Sequence, residues 1–190
     1  MTAEAGLPYV DLHTHTTASD GVLPPEQVVD AAAAAGLKAI AITDHDSTNG
    51  IEEAMAEAEF LGIMVIPGIE MSTDMPRAEV HVLGYFLDYH DQEFQHILEE
   101  LRDGRRERAE RIVEKLAGMG MNISWERVQK VAGEGSVGRP HIAQVMVETG
   151  YVSYLAEACS NFIGRNAPAD AERSKRTRVE SVSLGRRWTM

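Results

Sequence analysis

Apolar and polar positions follow two alternating periods over the first half of the chain. Tyr9 to His13 reads as a short strand. Pro24-Pro25 opens a helix, since proline suits a first helical turn, and the helical pattern runs through Ala35 until Gly36 stops it. Lys38 to Thr43 is an unbroken apolar run expected as a second, buried strand. An alanine- and glutamate-rich stretch from about Gly50 to Leu61 predicts a helix, Ile63 to Ile69 a third strand ending at Glu70, and Ala78 to Leu87 a fourth. Strands alternating with helices predict an α/β fold with a parallel sheet or barrel. The fourth strand is left free to run either way.

Beyond residue 90 the pattern changes. A long amphipathic helix is expected from Asp91 to about Met119, with Leu98, Leu101, Ile112 and Leu116 facing inward, followed by shorter helices near Ser124 to Val131, Pro140 to Glu148 and Ser153 to Phe162. The division expected is a barrel portion over 1–90, a helical insertion over 91–164, and a basic tail over 165–190 with one or two helical turns near Thr177 to Leu184. No internal repeat is visible.

The tail holds seven Arg/Lys against three Asp/Glu, whereas the remainder holds eleven against twenty-seven. A net charge of −12 over 190 residues speaks against binding nucleic acid through a basic footprint, and no stable duplex binding is expected. The N-terminus has neither a basic nor an apolar leader segment, and no stretch approaches the roughly 20 apolar residues of a membrane span, so a cytoplasmic protein with no membrane partner is expected. The oligomeric state is left open. One cysteine, Cys159, excludes a cysteine metal cluster, so a metal site must use nitrogen and oxygen.

Such donors stand at strand ends. His13 and His15, two apart in an extended segment, point the same way, and Asp20 returns from the following loop. His45 follows the second strand, Glu70 ends the third, and His81 lies on the fourth. A lone His-x-His is more often structural, but carboxyl strand ends of a parallel β/α architecture converge on one rim. Six such groups exceed the needs of one tetrahedral ion, which points to a multinuclear site for Zn, Mn or Fe and to phosphate-ester hydrolysis by an activated hydroxide. Asp44 and Asp11 are candidates for orienting a histidine from behind. Asp46 or Ser47 is expected to cap the second helix. His90 and His96 are read as surface residues.

Arg105 and Arg108 lean to the apolar face of the long helix, and Arg139 and His141 lie where Gly135 to His141 opens another. A glycine-rich helix start with an arginine suits an anion, so these four are the candidate phosphate contacts, with salt bridging or capping as the plainer alternative.

The run Asp11 to Gly21, Ile42-Thr-Asp44-His45-Asp46, Pro67-Gly-Ile-Glu70 and His81-Val-Leu-Gly-Tyr85 together resemble the motifs of the PHP family, named for polymerase and histidinol phosphatase. Arg105-x-x-Arg108 and Gly138-Arg-Pro-His141 are similar to the helical insertion of its nucleoside-bisphosphate-phosphatase-like subgroup. The resemblance implies a distorted β/α PHP barrel, of which the first four strands are present. It implies up to three divalent ions (Mn, Zn or Fe), with His13, His15, Asp20, His45, Glu70 and His81 as ligands and the insertion's arginines on the substrate phosphate. The implied substrate is a small phosphorylated molecule, a 3′,5′-bisphosphonucleoside or short oligonucleotide. Family members continue with further strands, an Ala-His-Pro-like histidine and a late Asp-x-His pair. The expectation drawn is a truncated or frame-shifted chain with an exposed sheet edge, low stability and an impaired site. A non-catalytic metal-binding remnant and a PHP domain of a replicative polymerase are the alternative readings.

Overall fold

The computed structural model describes residues 9–75 and 78–172. Most of the basic tail, including the turns expected near Thr177, lies outside the described residues. Four strands form one sheet in the order β1 (Val10–Thr14), β2 (Ala39–Ile42), β3 (Met64–Met75) and β4 (Ala78–Tyr85). The first three are parallel, connected by α1 (Pro25–Ala34) and α2 (Ile51–Leu61), while β4 runs antiparallel to β3. The strand β3 is longer than its apolar run predicts. Its second half, Met71 to Met75, has no hydrophobic run to announce it and is held by pairing with β4 in register Glu70 to Leu83 and Ser72 to His81.

The short β2, all four residues buried, is one of the two interior strands, as its Ala-Ile-Ala-Ile sequence requires. Ile40 and Ile42 pack against Val29, Ile51 and Ala54 of the covering helices. The sheet curls, so that the Tyr85 hydroxyl on β4 donates to the Leu12 carbonyl on β1 at 2.8 Å. Among the described residues β1 and β4 each pair on one side only, and Val10, Leu12, Val80 and Val82 are exposed.

The 27-residue α3 (Gln92–Gly118) starts with an Asp91 side chain accepting from the Phe94 amide. Its first half buries Phe94, Leu98 and Leu101 against Ile69 of β3. Its second half buries Ile112 and Leu116 in a separate cluster with α4 (Trp125–Ala132) and α5 (Arg139–Glu148). Leu155–Ala158 forms a short α6, continued by a π-helical turn over Cys159–Ile163. One helix therefore belongs to two cores and ties the helical portion to the sheet. No helix among the described residues is long and apolar enough to cross a membrane.

Candidate metal centre

The first strand ends in a loop folded back on itself. The Ser19 and Gly21 amides both donate to the Thr16 carbonyl, at 3.0 and 2.9 Å. A Cβ at Gly21 would meet the His15 carbonyl oxygen at 2.4 Å, so this turn admits glycine alone. Asp44, fully buried, clamps the loop from below: it accepts from the Thr16 amide at 2.8 Å, the Thr16 hydroxyl at 2.7 Å and the Ser19 hydroxyl at 2.6 Å. Burial pushes the Asp44 carboxyl up, against the pull of these three hydrogen bonds. Asp44 thus fixes the loop carrying His15 and Asp20, and it does so through Thr16 and Ser19 rather than by bonding a histidine as expected. Asp11 also differs from expectation: its carboxylate accepts the His13 backbone amide at 3.1 Å, an exposed local turn bond.

The parallel register of β2 and β3 persists beyond the strand end as a bridge between His45 and Glu70. The Glu70 amide donates to the Asp44 carbonyl and the Asp46 amide to the Glu70 carbonyl, so the two candidate ligands, His45 and Glu70, lie side by side. The reversal of β4 then brings His81 back to the same place. Although His81 lies early in its strand, its Nδ1 is 2.6 Å from Glu70 Oε1.

All six expected ligands converge. Glu70 Oε2 lies 2.9 Å from His13 Nε2, 3.0 Å from His15 Nε2 and 3.5 Å from His45 Nδ1. Asp20 reaches His15 Nδ1 at 3.4 Å and His45 Nε2 at 3.5 Å. Three overlapping groups result: His13, His15 and Glu70; His15, Asp20 and His45; His45, Glu70 and His81. In each, the donor atoms lie within 4.8 Å of one another. Two ligands about 2.1 Å from one tetrahedral ion are themselves roughly 3.4 Å apart, so these spacings fit divalent cations held by imidazole and carboxylate. Burial pushes the Glu70 carboxyl up, but hydrogen bonds from His13 and His81 and the charge of His81 and His15 outweigh it and hold the group below its usual value. A buried carboxylate kept ionised among four imidazoles is the donor set a cation needs.

The four expected phosphate contacts divide. A cavity of about 90 Å³ beside the cluster is lined by Asp20, His45, His81, Arg105, Arg108 and Arg139, among others. Arg108 and Arg139 lie at its wall and share the Asp170 carboxylate, at 3.3 and 3.6 Å. Arg105 is otherwise committed: its Nε donates to Asp46 Oδ2 at 2.5 Å and its terminal nitrogen to the Ser72 hydroxyl. His141 is buried, its Nδ1 accepts the Gly138 amide at 3.0 Å, and the ring also hydrogen-bonds the Ser19 backbone. Arg105 and His141 thus hold the surrounding segments together, where the expectation made them anion contacts, while Arg105 still lines the cavity and the Nε of Arg108 likewise donates to the Ala171 carbonyl at 2.7 Å. Asp46 is corrected too. The helix it was to cap starts at Ile51 behind Gly50, and Asp46, with φ at 50°, turns inward to take the Ser72 amide at 2.8 Å as well as Arg105.

Thr16, Ser19, Ser72 and Asp170 were not singled out in the sequence. The first two lie inside the first motif, where small hydroxyl residues in a tight polar loop are a usable signal. Asp170 lies far from every motif and carries none.

The profile of the PHP domain matches residues 11–121. A 5′-3′ exoribonuclease of Haemophilus influenzae is 35% identical over 84% of this chain and 58% of its own length. A 3′,5′-nucleoside bisphosphate phosphatase of Chromobacterium violaceum is 32% identical over 84% of this chain and 56% of its own. Among solved structures, a predicted metal-dependent phosphoesterase of Bifidobacterium adolescentis superposes with a TM-score of 0.82 and 29% identity, covering 90% of this chain and 60% of that one. The chain thus spans a little over half the length of the curated relatives it matches.

Proposed function

The chain belongs to the PHP domain family, and on that premise we propose that it serves a metal-dependent phosphoesterase acting on phosphomonoesters of nucleotides. The observation that carries this reading is the placement of three overlapping imidazole–carboxylate groups against a small cavity lined by three arginines, Arg105, Arg108 and Arg139. His13, His15, Asp20, His45, Glu70 and His81 would hold the cations, of which Mn, Zn and Fe suit the donors. Such ions supply Lewis acidity and an activated water at neutral pH. Arg139 and Arg108 bind and orient the phosphoryl oxygens, Arg108 from α3 and Arg139 from the first turn of α5. Guanidinium suits this because it stays charged and presents paired donors. Ala109 and Ile112 of α3 also line the cavity and give it an apolar side.

The named relatives favour 3′,5′-bisphosphonucleosides or short oligonucleotides as substrate class. The test is phosphate release from nucleoside 3′,5′-bisphosphates and from nucleoside monophosphates by protein reconstituted with Mn or Zn, beside His15→Ala and Arg139→Ala. The expected result is turnover lost in the first variant and a raised KM in the second. Equal background in all three would overturn the reading, and metal analysis of the same samples shows whether the centre assembled.

A further inference from the structure

A separate cavity of about 270 Å³ lies between α3 and the turn from α4 into α5, and shares Val137 with the cavity beside the metal cluster. The helical period makes one wall of it. Glu99, Arg102, Asp103 and Arg106 follow at i, i+3, i+4 and i+7, which sets two carboxylates and two guanidiniums along a single face of α3. The other wall carries Glu134 and Ser136, in a turn anchored by the Ser136 amide, which donates to the Ala18 carbonyl at 3.1 Å.

Charges of alternating sign are ordinary on a helix face that meets water. Ser136 sets this face apart. It lines the same cavity, is 2% exposed, and its hydroxyl has no hydrogen-bond partner among the described residues. Taking a hydroxyl from water without a partner costs free energy, so such a group marks a place where a further molecule completes the bond. Beside guanidiniums, the acceptor that suits it best is an anionic oxygen. Arg102 is steadied for this by one of its N–H donors, Nη1, which bonds the Asp46 carbonyl at 3.2 Å. A simple anion is nevertheless a poor fit, because Glu99, Asp103 and Glu134 line the cavity too. These carboxylates call for a positive group on the same ligand. The volume is that of about nine waters, which admits a molecule of amino-acid size.

We propose that this cavity binds a small zwitterion of the α-amino acid class, its carboxylate on Arg102, Arg106 and the Ser136 hydroxyl and its ammonium among Glu99, Asp103 and Glu134. The assignment is independent of the phosphoesterase reading.

The test is calorimetric titration of the whole chain with L-alanine, with propionate, which lacks the ammonium, and with ethylamine, which lacks the carboxylate. The L-alanine titration is repeated on Ser136→Ala and Glu134→Gln, one variant for each end of the ligand. Both changes spare the fold, since the Ser136 hydroxyl has no hydrogen bond to lose among the described residues and Glu134 is exposed. The expected result is saturable L-alanine binding, weaker by roughly tenfold or more for either analogue, and L-alanine affinity lowered about threefold or more in both variants. Absence of L-alanine binding, propionate or ethylamine binding as tightly as L-alanine, or unchanged L-alanine affinity in either variant would each overturn the assignment. No ester enters the measurement, so it reads the same whether or not the protein hydrolyses one.

Discussion

At the residue scale, the site depends on side chains that touch neither cation nor substrate. Asp46 has no exposed surface, and the Arg105 guanidinium is ion-paired with its carboxylate. Removing one partner of a buried ion pair leaves an uncompensated charge and costs about 3–5 kcal/mol. Arg105→Ala is therefore expected to lose that much in urea denaturation, with weakened metal binding because Asp46 also holds the Ser72 amide two residues beyond Glu70. A loss under about 1 kcal/mol, the range of solvent-exposed pairs, would show that water reaches Asp46. Asp170 acts in the opposite sense. Its Oδ1 occupies both Arg108 and Arg139, the two cations assigned to phosphate, while Oδ2 accepts the Asn166 amide at 2.8 Å. Asp170→Asn keeps an oxygen for Asn166 and removes the competing charge. Calorimetric titration with inorganic phosphate should show tighter binding in the variant, and unchanged or weaker binding would mean that Asp170 organises the arginines instead of competing for them.

At the element scale, the helical portion reaches the candidate metal centre not only through α3 but through contacts with the Asp20 loop. The Ser136 amide donates to the Ala18 carbonyl at 3.1 Å, Gly135 approaches the Thr17 carbonyl so closely that a Cβ would lie 2.6 Å from it, and His141 bonds the Ser19 backbone. The Gly138 amide needs an unprotonated His141 Nδ1, and burial lowers this imidazole's affinity for a proton, as does nearby Arg105, while Asp20 pulls the other way. As pH falls below about 6.5, the unfolded chain protonates first and the folded ring resists, so stability falls with pH in that window. Urea midpoints measured from about pH 7.5 to 5 should decline more steeply for the native chain than for His141→Gln, and parallel slopes would exclude His141 as the source. These docking contacts were not legible in the sequence, because they join residues more than a hundred positions apart without a periodic signal. The strands and helices around them were legible where burial writes a period: β2 from its Ile alternation, α3 from Leu98 to Leu116. The extension of β3 was not, since Met71-Ser-Thr-Asp-Met75 is a strand only because β4 pairs with it. For the same reason His81 looked like the weakest ligand from its position and proves to lie against Glu70.

At the scale of the molecule, the candidate ligands span the whole sheet. His13 lies on β1, His45 just past β2, Glu70 on β3 and His81 on β4, with His15 and Asp20 on the loop between β1 and α1. The edge strands need such a tie: β1 and β4 each have one paired neighbour among the described residues, and both expose apolar side chains. A cation bound by groups on every strand binds the folded sheet and not the unfolded chain, so its binding energy is added to folding by mass action, about 2.7 kcal/mol when free metal is a hundred times its dissociation constant. The thermal midpoint should rise on adding Mn or Zn and fall with a chelator. His13→Ala and His81→Ala should each lose part of this gain, because each disconnects one edge strand from the centre, whereas His96→Ala, on the surface of α3, should keep all of it. A midpoint indifferent to metal in the native chain would mean that the imidazole cluster is held by its own hydrogen bonds alone. An equal gain in the two edge variants would mean that the cation is bound by the central His15, Asp20, His45 and Glu70 without tying the sheet edges.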